Sequence, residues 1–173
     1  MYEHGPAAFR DYDPVFAEVA ALLIHAIEER NPRLHVDHIG STSVPECRGK
    51  GVIDLAVTYR AGGLEEAKAA LDTLGFQRQG GRDPWPEDRP MRVAGLAAFG
   101  AIFQVHAHVI PFEGREHGEL VGLRDALRRD PRLRRAYEDE KQRILNNGIT
   151  DSVDYSNAKH SLIASMLARI ATP

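Results

Sequence analysis

Apolar positions change their spacing from segment to segment along the chain, and the spacing predicts the elements. Phe16, Val19, Leu22, Leu23, Ala26 and Ile27 recur at helical intervals. Asp13-Pro14 ahead of them supplies an N-cap and a proline for the first turn, and Asn31-Pro32 stops the run near Arg30. Leu34, Val36 and Ile39 are strand-like, and Val52, Ile53, Leu55 and Val57 form the near-continuous apolar stretch of a buried strand. Gly62-Gly63 marks a turn into an amphipathic helix over 64–74, with Ala67, Ala70, Leu71 and Leu74 inward and Gly75 as its stop. A short strand is expected at Phe76-Gln77-Arg78. The glycines and prolines of 80–90 make a loop, in which Trp85 and Arg82 read either as a stacking surface for a base or as a surface loop pinned by its Trp.

Met91 to Leu96 and Ala101 to Ile110 read as two further strands, joined through Ala97-Ala98-Phe99-Gly100. From Glu116 onward the pattern is helical. Leu120, Val121, Leu123 and Leu127 make one stripe, while Arg124 and Arg128, four apart, make another. Asp130-Pro131 repeats the cap logic of Asp13-Pro14 and opens a helix carrying Leu133, Ala136, Tyr137, Ile144 and Leu145, closed by Gly148. A last helix is expected over 152–170, with Tyr155, Leu162, Ile163, Met166, Leu167 and Ile170 buried. This order predicts an α+β fold: a small mixed β-sheet with an N-terminal helix and a C-terminal group of helices.

Composition narrows the picture without changing it. A chain of 173 residues with 43% hydrophobic content fits one domain over 1–173 with a core of ordinary size. The net charge of −3 provides no global basic field, so nucleic acid is not an expected partner and any anion must find a local patch. No apolar run reaches the roughly 18–20 residues of a membrane span, and no charged-then-apolar signal opens the chain. The single cysteine, Cys47, rules out an internal disulfide and suits a reducing cytoplasm. It reads as a packing residue rather than a nucleophile, because the local sequence places no histidine beside it.

Candidate chemistry concentrates at Asp37-His38-Ile39-Gly40-Ser41-Thr42-Ser43-Val44-Pro45 and the following Lys50-Gly51-Val52-Ile53-Asp54-Leu55-Ala56-Val57. An aspartate inside an apolar strand is costly unless a metal, a cation or several donors offset its charge. Gly40 permits a close backbone approach that a Cβ would block. Ser41, Thr42 and Ser43 offer hydroxyls beside backbone N–H groups, a cradle for phosphate oxygens, with Lys50 as a further phosphate candidate. A phosphate cradle across from a carboxylate able to hold Mg²⁺ is the minimum equipment for phosphoryl or nucleotidyl transfer. On the strand Phe103 to Ile110, alternation puts Gln104, His106 and His108 on one face. Two histidines at i and i+2 either converge on a metal, for which Zn²⁺ or Ni²⁺ suits imidazole better than Mg²⁺, or form the polar face of a packed strand. Tyr137 with Lys141, and Tyr155 with Lys159, are each four apart and share a helical face.

The segment His38 to Pro45 followed by Val52-Ile53-Asp54-Leu55 resembles the signature of the GrpB family, a branch of the nucleotidyltransferase superfamily. His106-Ala107-His108, Leu123-Arg124-Asp125-Ala126-Leu127-Arg128, Tyr137 with Lys141, and Tyr155 with Lys159 follow in the matching order. The resemblance runs from about Phe9 to the C-terminus and implies a nucleotidyltransferase-like fold. It places Arg124, Arg128, Lys141 and Lys159 toward the cleft, where they would neutralise phosphate charge, and sets the histidine strand beside the one bearing Asp54. The implied ligand is a nucleotide or phosphorylated small molecule. Mg²⁺ or Mn²⁺ is the metal for transfer, held by Asp54 with His106 and His108 completing the site or binding substrate. The superfamily's second acid, two residues after the first, is replaced here by Ala56. The expected activity is therefore either metal-dependent nucleotidyl transfer centred on Asp54 or non-catalytic nucleotide or coenzyme binding, a folding-accessory domain being the remaining reading.

Overall fold

A computed structural model describes residues 9–80, 85–147 and 162–168. Helix α1 (Val15–Arg30) begins where the spacing predicts, with the Asp13 carboxylate accepting the Val15 N–H at 3.0 Å. The chain then forms β1 (His35–Ile39), a single 3-10 turn at Ser41–Ser43, β2 (Ile53–Tyr59) and helix α2 (Leu64–Thr73). Strands β3 (Gln77–Arg78), β4 (Met91–Ala98) and β5 (Ala101–Pro111) follow, then helices α3 (Arg115–Arg129) and α4 (Pro131–Asn146). Residues 162–168 are helical and are labelled α5. The Asp130 carboxylate caps α4 by accepting the N–H groups of Arg132 and Leu133, as Asp130-Pro131 implies. Two apolar positions depart from the pattern: Leu22 of α1 is 55% exposed, and Leu74 lies just beyond the last turn of α2 and is 39% exposed rather than inward.

The strands order as β1-β2-β5-β4-β3 in one mixed sheet. β2 and β5 run parallel, whereas the β1–β2, β5–β4 and β4–β3 pairs are antiparallel. Register decides what each face carries, because residues directly opposite one another point to the same side. Asp54 stands between Ile39 on β1 and His106 on β5, and Ala56 between Asp37 and His108. Met91 and Val93 of β4 extend the same row opposite His108 and His106.

The reverse face carries Val36, Ile53, Leu55, Val57, Val105, Ala107 and Val109, which pack under α1 and α2 in the main core. Full burial of each valine, isoleucine or leucine here contributes about 1.5–3 kcal/mol, enough to make this face the mechanical base of the molecule. On the Asp54 face, Ile39, Ala56 and Ile110 are covered by Leu120 of α3. A third cluster joins Val44 and Cys47 of the β1–β2 connection to Leu123, Leu127, Tyr137, Leu162 and Met166. The two faces thus divide the work, one building the core and the other lying beneath α3 beside a cavity. Among the described residues no helix is long and apolar enough to cross a membrane.

Candidate functional site

Asp54 enters β2 directly beside the end of β1, and the backbone there is shaped to receive it. Gly40 has φ +69°, and a Cβ at that position would lie 2.4 Å from Asp54 Oδ2. Glycine is therefore required twice over, for its left-handed conformation and for the space its missing side chain leaves. Asp54 Oδ1 lies 3.4 Å from His106 Nδ1 and 3.9 Å from His108 Nε2, and the three side chains are 16%, 23% and 18% exposed. His108 Nδ1 is buried and has no hydrogen-bond partner among the described residues, and the ring meets Trp85 edge-on with centroids 5.3 Å apart. The His106 and His108 strand thus adjoins the Asp54 strand, as the resemblance implies.

These groups open onto a cavity of about 470 Å³. Its polar lining comes from Gly40, Asp54, His106 and His108 on the sheet side. Leu120, Leu123 and Leu127 of α3, Tyr137 of α4 and Ile163 of α5 make much of the apolar lining. Trp85, Arg89 and Met91 complete it. That volume and mixture suit a small organic ligand. Among the described residues no three or more His, Cys, Asp or Glu side chains converge so as to hold a metal ion by themselves.

The hydroxyls of the turn face other tasks. Thr42 Oγ1 donates to the Val52 carbonyl at 3.1 Å and pairs with His38 Nε2 at 3.0 Å. Ser43 Oγ donates to the Gly40 carbonyl at 2.7 Å. Ser41 Oγ lies against Gly49, where a Cβ would fall 2.2 Å from it and 3.0 Å from Lys141 Nζ. Of the four residues Gly40 to Ser43, Gly40 alone lines the cavity. Lys50 is half-buried between Gly49 and β2 and does not line it either.

The basic helix residues converge on the same connection from its other side. Arg128 donates twice to the Ser43 carbonyl, at 2.9 and 2.6 Å. Arg134 donates to the Pro45 carbonyl at 3.2 Å, and buried Lys141 to the Arg48 carbonyl at 2.8 Å with its ammonium 4.7 Å from the Tyr137 ring centre. Arg124 lines the cavity, but its guanidinium is also bound to Asp37 and to the His38 carbonyl, at 3.0 and 3.2 Å. Tyr155 and Lys159 lie outside the described residues.

Asp37 and His38 open the candidate stretch but carry no individual role in the sequence reading, and the structure makes them supports of the site. Asp37 accepts hydrogen bonds from His117 Nε2 at 2.9 Å and Arg124 at 3.0 Å, and its Oδ2 lies 3.2 Å from His35 Nε2. Burial alone would raise its pKa, yet the hydrogen bonds from His117 and Arg124 hold the carboxyl below its usual range. Burial drives the His38 imidazole down to about 4 against the pull of Asp54, and Arg128 and Arg124 lower it further. The ring is therefore neutral at pH 7, and since the Thr42 hydroxyl proton goes to Val52, His38 Nε2 carries the proton toward Thr42. Burial pushes the Cys47 thiol up to about 11, which suits the packing role read from the sequence. The signal for Asp37 was its place two residues before Ile39, on the face that Asp54 shares.

Comparison with known proteins agrees with this architecture. The model of the GrpB family, described as GrpB protein, matches residues 6–169. A UPF0157 protein of Streptomyces coelicolor is 31% identical over 173 residues, covering 95% of this chain and 87% of its own length. UPF0157 proteins of Pseudomonas aeruginosa and Vibrio cholerae are 31% and 32% identical over 80% and 77% of this chain. The chain spans 56% and 61% of those two relatives' lengths. The crystal structure of the conserved protein GrpB from Enterococcus faecalis has a TM-score of 0.73 at 21% identity, over 94% of this chain and 96% of that one. Cid1, a poly(U) polymerase, in complex with its short product ApU has a TM-score of 0.52 at 16% identity, over 76% of this chain and 41% of that one. At these identities the structural likeness speaks to the fold, which is nucleotidyltransferase-like, and the match along nearly the whole chain carries the closer kinship: this chain belongs to the GrpB family.

Proposed function

We propose that this chain binds a nucleotide, or another phosphate-bearing small molecule, in the cavity beside Asp54, and acts as a nucleotidyltransferase with Asp54 as its catalytic carboxylate. The observation that carries the reading is the Asp54 carboxylate, set against Gly40 at the wall of a ligand-sized cavity with His106 and His108 on the neighbouring strand. The nucleotidyltransferase-like fold adds support by analogy.

The donor set bears on the metal. Mg²⁺ and Mn²⁺ are commonly held by one or two carboxylates together with substrate phosphates rather than by an all-protein cage, and Asp54 fits that part. A Zn²⁺ or Ni²⁺ ion would instead draw on His106 and His108. When bound, such an ion would neutralise phosphate charge. In the transfer, an acceptor hydroxyl forms a P–O bond at the α-phosphorus as the bond to pyrophosphate breaks, and its proton is lost to water. Ser41, Thr42 and Ser43 would shape the turn that carries Gly40, with Arg128 and Lys141 holding it through the carbonyls of Ser43 and Arg48 and Lys50 lying off the cavity, while Arg124, which lines the cavity, would meet phosphate charge with Tyr155 and Lys159 as further candidates.

A second reading, binding without transfer, is favoured by Ala56. It occupies the position two residues after Asp54, is fully buried and packs with Ile39 and Ile110, so no second carboxylate joins Asp54 there. Three measurements on the wild type and Asp54→Asn separate the readings: thermal shift and calorimetric affinity with nucleoside triphosphates plus Mg²⁺ or Mn²⁺, and release of pyrophosphate. A ligand at a hundred times its Kd stabilises by about 2.7 kcal/mol, a rise in Tm of roughly 5–11 °C for a chain of this size. Transfer predicts pyrophosphate from the wild type and none from Asp54→Asn at a similar or higher Tm. Binding alone predicts no pyrophosphate from either protein and a loss of affinity in the variant. No shift in the wild type at millimolar nucleotide defeats both readings and leaves the accessory-domain alternative.

A further inference from the structure

The cavity is chemically divided, and the division says which part of a nucleotide lies where. Trp85, Arg89, Met91 and His108 form one continuous wall. Met91 is the cross-strand partner of His108, the Trp85 ring meets the His108 ring at 5.3 Å, and the Arg89 guanidinium lies over the Trp85 ring at 4.1 Å from its centre. Arg89 is itself anchored to Glu116 of α3, through Nε at 2.7 Å and through Nη2. Arg89 covers one face of the indole and the imidazole meets the indole edge-on at 75°, so the wall offers a flat π system a planar cation and aromatic rings to pack against.

The charges lining the cavity point the same way. Among the described residues three arginines line it, and each is already engaged: Arg89 by Glu116, Arg115 by Glu119 at 2.7 Å, and Arg124 by Asp37 and Asp125 at 3.0 and 2.8 Å. Asp54, Glu116 and Glu119 balance them among the lining residues. A polyphosphate inside would have to break those pairs or bring its own cations, because its negative charges find no uncommitted guanidinium in the described wall. An uncharged ring needs neither.

Resting on the nucleotide-binding reading above, we infer that the Trp85–Arg89–Met91–His108 wall is the seat of the nucleobase. The ring lies against Trp85, and the phosphates lie away from it, toward Asp54. Trp85 is the only tryptophan in the sequence, so its emission reports directly on this wall.

The test titrates the wild-type protein with adenosine and uridine, with their triphosphates plus Mg²⁺, and with inorganic tripolyphosphate. Fluorescence and calorimetry are followed together. The inference predicts saturable quenching of Trp85 by nucleosides and nucleoside triphosphates, and none by tripolyphosphate. Trp85→Ala should weaken nucleotide binding about tenfold or more, the scale of one base–aromatic stack, while Trp85→Phe stays within about threefold because a ring remains. Affinity for tripolyphosphate should be the same in all three proteins. Nucleotides that bind the wild type without quenching, or bind Trp85→Ala equally well, overturn the base seat and leave the nucleotide-binding reading standing. Quenching by tripolyphosphate alone overturns the orientation. Failure of every nucleotide to bind the wild type overturns this inference together with the reading it rests on. The quenching arm needs no variant, so a Trp85→Ala protein that fails to fold does not blunt the test.

Discussion

Gly40 and Asp54 depend on each other. A strand aspartate needs compensation for its charge, and here it lies against a residue without a Cβ, within reach of two imidazoles. Gly40→Ala would place a methyl 2.4 Å from Asp54 Oδ2 in a left-handed backbone conformation. The expected result is a loss of about 1–3 kcal/mol in urea denaturation, accompanied by displacement of Asp54 and weaker nucleotide binding. A variant as stable as the wild type would show that this contact is not what holds the carboxylate. Thr42 illustrates the contrasting case. Its hydroxyl is spent on Val52 and His38, so a residue type suited to phosphate serves the turn that presents Gly40.

At the scale of elements, the β1–β2 connection is held by the helices rather than by its own hydrogen bonds alone. Arg128, Arg134 and Lys141 reach three of its carbonyls, those of Ser43, Pro45 and Arg48, while Val44 and Cys47 pack into the cluster with Leu127 and Tyr137. Cations that would be spare in an open cleft are here a clamp across the strand connection. Arg128→Met should cost about 1–2 kcal/mol, at the low end for a charged donor because the side chain is 43% exposed. Its nucleotide affinity should stay within about threefold of the wild type. The reverse outcome, unchanged stability with a large loss of affinity, would place Arg128 on the ligand instead of the loop.

For the molecule as a whole, the sheet separates stability from chemistry, and pH links the two through His38. Its pKa is near 4 in the folded chain and 6.5 without the fold, so folding at mildly acid pH must expel a proton. The protein keeps its full stability from this source above pH 6.5 and loses it as pH falls from 6.5 toward 4, by about 3 kcal/mol over the whole window. His38→Gln preserves a donor for Thr42 and cannot titrate there. Between pH 7.5 and 4.5 the wild type should lose about 2.5 kcal/mol more than the variant in chemical denaturation. Parallel losses in both proteins would remove His38 as the cause.

Local periodicity makes most elements legible in the sequence. The apolar spacing of Phe16 to Ile27, the alternation of Phe103 to Ile110 and the cap pair Asp130-Pro131 are short-range signals, and each produced its helix or strand. Leu74 misled, because one helical turn of pattern cannot say where a helix gives way to its cap. Gly40 and Asp54 were recognisable because a glycine before a hydroxyl-rich turn and an acid in an apolar strand are each anomalous on their own. Strand order, the register that sets Asp54 opposite His106, and the distant partners of Arg124 and Arg128 were not readable. Asp54 with His106, Ser43 with Arg128 and Asp37 with Arg124 join residues separated by 52 to 87 positions, and long side chains choose among many acceptors that only the packed structure brings near. Sequence by itself determined the elements and the anomalous residues, through interactions within a few residues of each other. Tertiary structure alone decided which of them share a cavity, because that depends on register across the sheet and on the helices laid over it.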